Sequence, residues 1–158
     1  MNFFHTMIAL AALVTGMMAG NEFAVIVFFH PALYGLPGET HARAAKAFAG
    51  RLGAVMPFWY AATLLLLSLA AWQLRRVNEF AFSAVCAAAI LMAAVVIFTI
   101  FYMVSIKNRI SNLNVETLPE GWKTDRMAWD AAHRGRAAAL ALIFALLLIG
   151  LVALMPKA

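Results

Sequence analysis

A carboxylate and an imidazole lie inside or at the end of the first apolar stretch of this sequence. Glu22 has apolar neighbours in "GNEFAVIVFFHPAL", and His30 follows eight residues later. In an α-helix this separation is about 12 Å along the axis and about 80° of rotation, so both side chains can face one cavity. Because an isolated charge in hydrocarbon is costly, an ionisable residue at this depth indicates a functional site. The alternatives are that Glu22 lies nearer the membrane interface, or that it pairs with an arginine and only stabilises the bundle.

A second carboxylate and imidazole lie in "WDAAHRGR", residues 129–136. Asp130 and His133 are three residues apart, which places them on one face of a helix. That geometry allows the two groups to bind one metal ion or to relay one proton. The alternative is an interfacial pair, in which Asp130 lies in the first turns of a helix and hydrogen-bonds to His133.

These four side chains together predict a candidate metal site. His30, His133, Glu22 and Asp130 offer the nitrogen and oxygen donors that a mononuclear iron, copper or zinc site uses. A dinuclear carboxylate site would need more acidic residues than the sequence supplies nearby. Haem ligation through His30 and His133 is a further alternative.

Other polar and aromatic residues are candidates for binding a substrate. The segment "SIKNRISNLN" carries Asn108 and Arg109 out of the third apolar stretch. A guanidinium can hold an anionic oxygen through two hydrogen bonds, and an amide can orient a carbonyl or a phenol. Contact with solvent or lipid headgroups is the competing interpretation. Trp129 either walls a pocket for a flat apolar ligand or anchors the chain at a membrane interface.

The elements that must position these residues are membrane helices. Of the 158 residues, 65% are hydrophobic and 12% are charged, which is too apolar for an ordinary soluble domain. A helix needs about 20 residues to cross a bilayer, and four apolar stretches are that long. They cover residues 3–29, 55–74, 80–106 and 137–155. The first lacks both a preceding Lys or Arg and a convincing cleavage site, so we expect it to be retained rather than removed as a signal peptide.

The connectors predict how the four spans are arranged. Residues 75–79 make a tight turn, whereas residues 30–54 and 107–136 are long and hold most of the polar groups. We therefore predict a single all-α domain, an up-down-up-down four-helix transmembrane bundle with both long connectors on one face. Within the first long connector, Pro37 and Gly38 predict a break. A helix should begin just after it and continue into the second span, with a kink at Pro57.

The distribution of charge predicts the orientation in the membrane. The net charge is +5, and nine of the twelve Lys and Arg residues lie on the long-connector face. The positive-inside rule then places that face in the cytoplasm, and we expect the inner membrane of a bacterium. Because the basic residues lie in membrane connectors, we expect no nucleic-acid partner. The single cysteine, Cys86, excludes a disulfide within the chain.

Four segments in this order, "AGNEFAVIVFFHPAL", "RLGAVMP", "IKNRI" and "WDAAHRGR", resemble a family of small four-span membrane proteins that includes the anthrone oxygenases. The resemblance extends over nearly the whole chain. It implies an integral membrane protein and, as in the fungal members, oxygenation of an anthrone to an anthraquinone. The substrate itself does not follow from the resemblance. The matching polar positions are Asn21 and Glu22, His30 and Pro31, Asn108 and Arg109, Trp129, Asp130, His133 and Arg136.

The leading hypothesis is an oxidoreductase of the oxygenase type that acts on a small lipophilic aromatic molecule. The substrate would pass from the lipid bilayer into a cavity between the helices and meet Asn21 and Trp129. Glu22 or His133 would accept a proton, with Asp130 orienting His133. Asn108 and Arg109 would stabilise negative charge on a phenolate or enolate oxygen.

Two other classes of function are alternatives. One is a non-enzymatic membrane subunit that binds haem or a metal through His30 and His133, or that serves as an accessory subunit of a larger complex. The other is a proton-coupled carrier of a small solute with Glu22 as the coupling site. Four spans are few for transport, so a carrier would require a homo-oligomer.

Overall fold

The computed structural model describes residues 3–155, and these residues form helices and short connections without a strand. Four helical segments are long and apolar enough to cross a membrane, which confirms the predicted all-α, four-helix membrane architecture. We call them span 1 to span 4 in chain order. They are Thr6–Tyr34, Gly38–Leu74, Glu79–Ser111 and Trp122–Val152.

Six α-helices and two π-helical turns make up the spans. The first part of the chain contains α1 (Phe3–Ala24), a π turn (Val25–Phe29), α2 (His30–Tyr34) and α3 (Gly38–Leu74). The second part contains α4 (Glu79–Phe98), a π turn (Thr99–Met103), α5 (Val104–Ser111) and α6 (Trp122–Val152). Each π turn interrupts a span, so spans 1 and 3 are each an α-helix, a π turn and a second α-helix.

The helices extend much further into the long connectors than the apolar stretches do. The chain between Tyr34 and Gly38 is a short turn, and α3 begins directly after Pro37, close to the predicted start. Helix α3 continues through Pro57. Much of the predicted polar connector before residue 55 is therefore helical, which gives the polar residues fixed positions above the membrane core.

The four spans pack as a ring in chain order. Helix α3 contacts α1 and α4, and α6 contacts α1 and α4, so each span has two neighbours. Asn78 joins the tight turn to the end of span 4: its side chain accepts a hydrogen bond from the Ala81 amide at 2.9 Å and donates one to the Ala153 carbonyl at 3.3 Å. Consecutive helices alternate in direction, and this places the turns at residues 35–37 and 112–121 at one end.

Two apolar clusters divide the interior of the bundle. One fills the end near the tight turn and includes Leu67, Met92 and Leu140. The other lies at the long-connector end and includes Met103 and Trp129. Along span 4 the change from one cluster to the other falls between residues 129 and 140, and Asp130, His133 and Arg136 lie there.

The outer surface of the spans is apolar. Phe58 is 78% exposed and Phe101 is 81% exposed, and both lie within spans. Large exposed apolar side chains would be costly in water, but they match the hydrocarbon of a bilayer. The protein is therefore an integral membrane protein.

Candidate active site

Glu22 is the centre of a buried polar cluster. Its carboxylate is 2% exposed and lies among side chains from other spans. Tyr60 Oη donates a hydrogen bond to Oε1 at 3.0 Å, and Arg136 Nη2 donates to Oε1 at 3.1 Å and to Oε2 at 3.0 Å. His133 Nε2 contacts Oε2. Because the charge is paired and both oxygens are satisfied, the carboxylate can stay buried among apolar helices.

All four spans contribute to this cluster. Glu22 comes from α1 and Tyr60 from α3, whereas His133 and Arg136 lie three residues apart on one face of α6. Span 3 contributes Met103, whose sulfur lies 3.3 Å from Arg136 Nη1. The cluster therefore depends on the assembled bundle and cannot be formed by any one hairpin.

A second buried cluster is centred on Asp130. Its Oδ1 lies 2.8 Å from Arg126 Nη2 and 3.3 Å from His30 Nε2, and Tyr34 Oη donates a hydrogen bond to Oδ2 at 2.8 Å. Asp130 is 2% exposed, whereas Tyr34 is 52% exposed. The ring of His41 packs edge-on against Tyr34. This cluster thus connects a buried carboxylate to the long-connector surface.

The two clusters meet at a pair of histidine rings. His30 and His133 pack edge-to-face with ring centroids 5.0 Å apart. Nδ1 of each ring is buried and has no hydrogen-bond partner among the described residues. One line of ionisable groups consequently runs from the interior to the surface, in the order Glu22, His133, His30, Asp130 and Tyr34.

The π turn in span 1 brings Glu22 and His30 into this line. The His30 amide bonds to the Val25 carbonyl, which adds one residue to that turn. The extra residue reduces the rotation between the two side chains from about 80° to about 20°. Glu22 and His30 therefore point in more nearly the same direction than they would on a regular α-helix, in line with the predicted common orientation.

A cavity of about 460 Å³ lies against the Glu22 cluster. Glu22, Asn21, Trp129, His133 and Arg136 all line it, together with apolar residues of spans 2 and 3. Its exposed lining residues come only from those two spans: they are Pro57, Ala61, Ile100 and Val104. The cavity thus opens sideways between span 2 and span 3, toward the lipid-facing surface.

The structure does not bring Asn108 and Arg109 to this cavity. Both side chains are exposed, and Arg109 holds the Asp125 carboxylate through two hydrogen bonds of 2.7 and 2.8 Å. On α5 the buried positions are Ile106 and Ile110, and Asn108 and Arg109 between them are exposed and point outward. Arg136, three residues after His133, is the arginine that lines the cavity instead.

The partner of His133 also differs from the prediction. Spacing alone pairs Asp130 with His133, but Arg126, Tyr34 and His30 surround the Asp130 carboxylate. Glu22, from another span, provides the carboxylate that contacts His133. Asp130 therefore contacts His30 rather than His133.

The predicted metal site is not supported by the geometry. Over residues 3–155, no group of three or more His, Cys, Asp or Glu side chains is arranged to hold a metal ion. Each predicted carboxylate faces an arginine, which competes for the oxygens that a cation would need. The rings of His30 and His133 are also in direct contact, which leaves no room for a porphyrin between them.

Several residues of the site were not among the predicted site residues. Arg126 lies four residues before Asp130, so helix periodicity was sufficient to pair them. Tyr60 and Tyr34 carry no comparable signal, because each approaches its carboxylate from a different span. Their roles depend on the packing of the bundle.

A family model described as anthrone oxygenase matches residues 44–146, more than half of the chain. The matched region contains Tyr60, Asp130, His133 and Arg136, whereas Glu22 and His30 precede it. No curated protein and no solved structure matches the chain.

Proposed function

Because this chain belongs to the anthrone oxygenase family, we propose that it oxygenates a small lipophilic aromatic molecule in the cavity beside Glu22 and His133. The substrate reaches the cavity from the bilayer, through the opening between spans 2 and 3. Asn21 and Trp129, which line the cavity, contact the aromatic body of the substrate. The contact between Glu22 and His133 at the wall of an apolar cavity carries this proposal.

The proposed reaction converts an activated methylene group between aromatic rings into a carbonyl group. The carbon loses two hydrogens and gains one oxygen atom from O₂, and the other oxygen atom leaves with both hydrogens as water. Dioxygen is the oxidant and the methylene carbon supplies the four electrons, so the balance needs no further oxidant or reductant. Removal of the first proton gives a carbanion conjugated with a phenolate or enolate oxygen, and this electron-rich species reacts with O₂.

His133 accepts the first proton. Its Nε2 faces the Glu22 carboxylate, which favours the tautomer protonated at Nε2 and leaves the Nδ1 lone pair available. Nδ1 has no hydrogen-bond partner among the residues that the structure describes. Glu22 then stabilises the imidazolium that forms, as the carboxylate of a catalytic triad does.

Arg136 stabilises the negative charge that develops on the substrate oxygen. One edge of its guanidinium is bound to Glu22, and its Nε is buried without a partner. An apolar environment strengthens the attraction between a guanidinium and a developing oxyanion. Arg136 thereby takes the role that the sequence pattern assigned to Arg109.

The first proton is held on the second cluster, which exchanges protons with the aqueous face and returns one to the oxygen atom that departs as water. The proton passes from His133 to His30 and then to Asp130, whose Oδ1 lies 3.3 Å from His30 Nε2. Tyr34, hydrogen-bonded to Asp130 and half-exposed, connects this carboxylate to the aqueous face. Such a route is needed because His133 is buried and the cavity beside it opens toward the lipid rather than toward water.

The test is turnover of anthrone by the purified protein in detergent under oxygen. Oxygen uptake and anthraquinone formation should exceed those in protein-free buffer. His133→Ala removes the general base and should lower the rate by about 10²–10⁴. Arg136→Gln should lower it by about 10² because it removes the oxyanion partner.

Arg109→Gln is the matched control for Arg136→Gln. It removes the same charge from an exposed position away from the cavity, so we expect the wild-type rate. Circular dichroism and gel filtration of each variant separate loss of chemistry from loss of fold. Wild-type protein without activity above buffer, or a folded His133→Ala variant with full activity, would contradict the proposal.

A further inference from the structure

We infer that Lys107 anchors an anionic oxygen of the bound aromatic molecule, so that the cavity selects ligands with an apolar ring system and a negatively charged substituent. This inference rests on the proposed function, because it specifies the substrate class of the same cavity. It adds a binding residue, at the end of the cavity away from the bundle core.

Lys107 continues the face of span 3 that lines the cavity. The lining residues of this span, from Val96 through Thr99 and Met103 to Lys107, recur every three or four residues. That spacing places them on one side of the span, so Lys107 lies above the same space as the residues before it. It is also the last lining residue of span 3 and lies at the long-connector end.

Gly53 makes room for the lysine on the opposite wall. A Cβ atom built on Gly53 would lie 2.9 Å from Lys107 Cδ and 3.1 Å from Nζ. The lysine side chain therefore lies across span 2 at a position where that helix has no side chain. It extends over the cavity between the two spans that form the opening.

Lys107 is the unpaired charge of the cavity lining. Glu22 and Arg136 neutralise each other, whereas Lys107 has no hydrogen bond or ion pair with any residue that the structure describes. Lys107 is a partly buried residue, and an ammonium beside apolar walls attracts an anion. The cavity thus offers apolar walls for an aromatic body and one free cation at its rim.

The position of the ammonium determines how such a ligand would lie. An anionic oxygen at Lys107 leaves the rest of a flat molecule to extend along the lining face toward Met103 and the Glu22 cluster. A carboxylate or phenolate on an outer ring satisfies this arrangement. A neutral ring system would lack the interaction at the rim and keep only the apolar contacts.

The experiment compares two fluorescent probes of equal shape. We would titrate 2-anthracenecarboxylate and 2-anthracenecarboxamide into the full-length protein in phosphatidylcholine nanodiscs. Because a charge-assisted hydrogen bond is lost, Lys107→Gln should weaken carboxylate binding about tenfold and leave carboxamide binding unchanged. Lys107→Arg should retain most of the affinity for the carboxylate.

Two further variants serve as controls. Gly53→Ala keeps the charge but displaces the lysine side chain, so it should also reduce the preference for the carboxylate. Arg51→Gln removes an exposed charge at the same end of the bundle and should leave both affinities unchanged. If Arg51→Gln reduces the affinity for the carboxylate as much as Lys107→Gln does, the effect is one of general charge, and the role of Lys107 as an anchor is refuted.

The outcomes separate this inference from the function on which it rests. Equal binding of both probes to wild-type protein, unaffected by Lys107→Gln, would overturn the anchor alone. Failure of both probes to bind would count against an aromatic substrate and therefore against the proposed function as well. The titrations would be repeated in nanodiscs that contain phosphatidylglycerol. If Lys107→Gln changes probe binding only in those nanodiscs, Lys107 binds a lipid phosphate and the inference is overturned.

Discussion

At the scale of single residues, the buried carboxylate of Glu22 is the least expected feature of an apolar bundle. Tyr60, His133 and Arg136 all contact it, so the charge has partners on both oxygens. Such a pair gains little over apolar residues of the same size, but removal of one partner leaves an uncompensated charge. We attribute this arrangement to the chemistry of the site rather than to stability.

The pair between Glu22 and Arg136 gives a prediction for stability. Glu22→Gln and Arg136→Met should each reduce the free energy of unfolding, by about 3–5 kcal/mol where a buried charge is left unpaired. The variant with both substitutions should lose less free energy of unfolding than the two single losses added together, because neither charge remains. Unfolding by sodium dodecyl sulfate in mixed micelles, followed by circular dichroism, measures all three, and strictly additive losses would contradict the coupling.

At the scale of helices, the two π turns shape the site. One lies between Glu22 and His30 and aligns these residues. The other, Thr99–Met103, contributes cavity-lining residues and ends where the Val104 amide bonds to the Thr99 carbonyl. π turns are rare, and those that interrupt α-helices are frequently found at functional sites. Both occur beside the cavity.

Close contact between α4 and α6 gives a prediction at this scale. A Cβ atom on Gly150 would lie 2.9 Å from Val85 Cγ2 and 3.3 Å from the Ala81 carbonyl oxygen. Gly150→Ala should therefore separate the two helices and cost about 1–3 kcal/mol. Thermal unfolding in detergent would show a lower midpoint.

Gly135 on the same helix is the matched control. A Cβ atom there has no neighbour within 4 Å among the described residues, and the position is exposed. Gly135→Ala should be neutral or stabilising, since alanine is the better helix former by about 1 kcal/mol. Equal destabilisation by both substitutions would refute the packing explanation.

At the scale of the whole molecule, the polar clusters lie toward one end of the bundle and the cavity opens at its side. In the proposed function, substrate and proton therefore use different routes, since the lipid-facing opening lies between spans 2 and 3 and the surface residue Tyr34 belongs to span 1. This separation lets an apolar molecule enter without water. We propose that the end with Tyr34 faces the cytoplasm, in the inner membrane of a bacterium, because most Lys and Arg residues lie there.

Cysteine labelling tests this orientation. In a Cys86→Ala background, Glu39→Cys and Val77→Cys each place an exposed thiol at an opposite end of the bundle. A membrane-impermeant maleimide should label position 77 in intact spheroplasts and position 39 only after permeabilisation. The reverse pattern would place the long-connector end outside the cytoplasm.

The sequence alone determined the membrane class, the number of spans and their order, because these follow from the length and hydropathy of contiguous segments. It also identified Glu22, His30, Asp130 and His133 as exceptional, because an ionisable residue within or beside an apolar segment is visible without a structure. The family resemblance likewise depends on linear order.

Only the tertiary structure decided which polar groups meet. Sequence spacing paired Asp130 with His133, whereas packing between spans pairs Glu22 with His133 and Asp130 with His30. In the packed bundle Arg109 also points outward, and Arg136 lines the cavity. Helix periodicity relates residues of one helix, but contacts between helices depend on their rotation and register, and here a single added residue in a π turn changes the rotation.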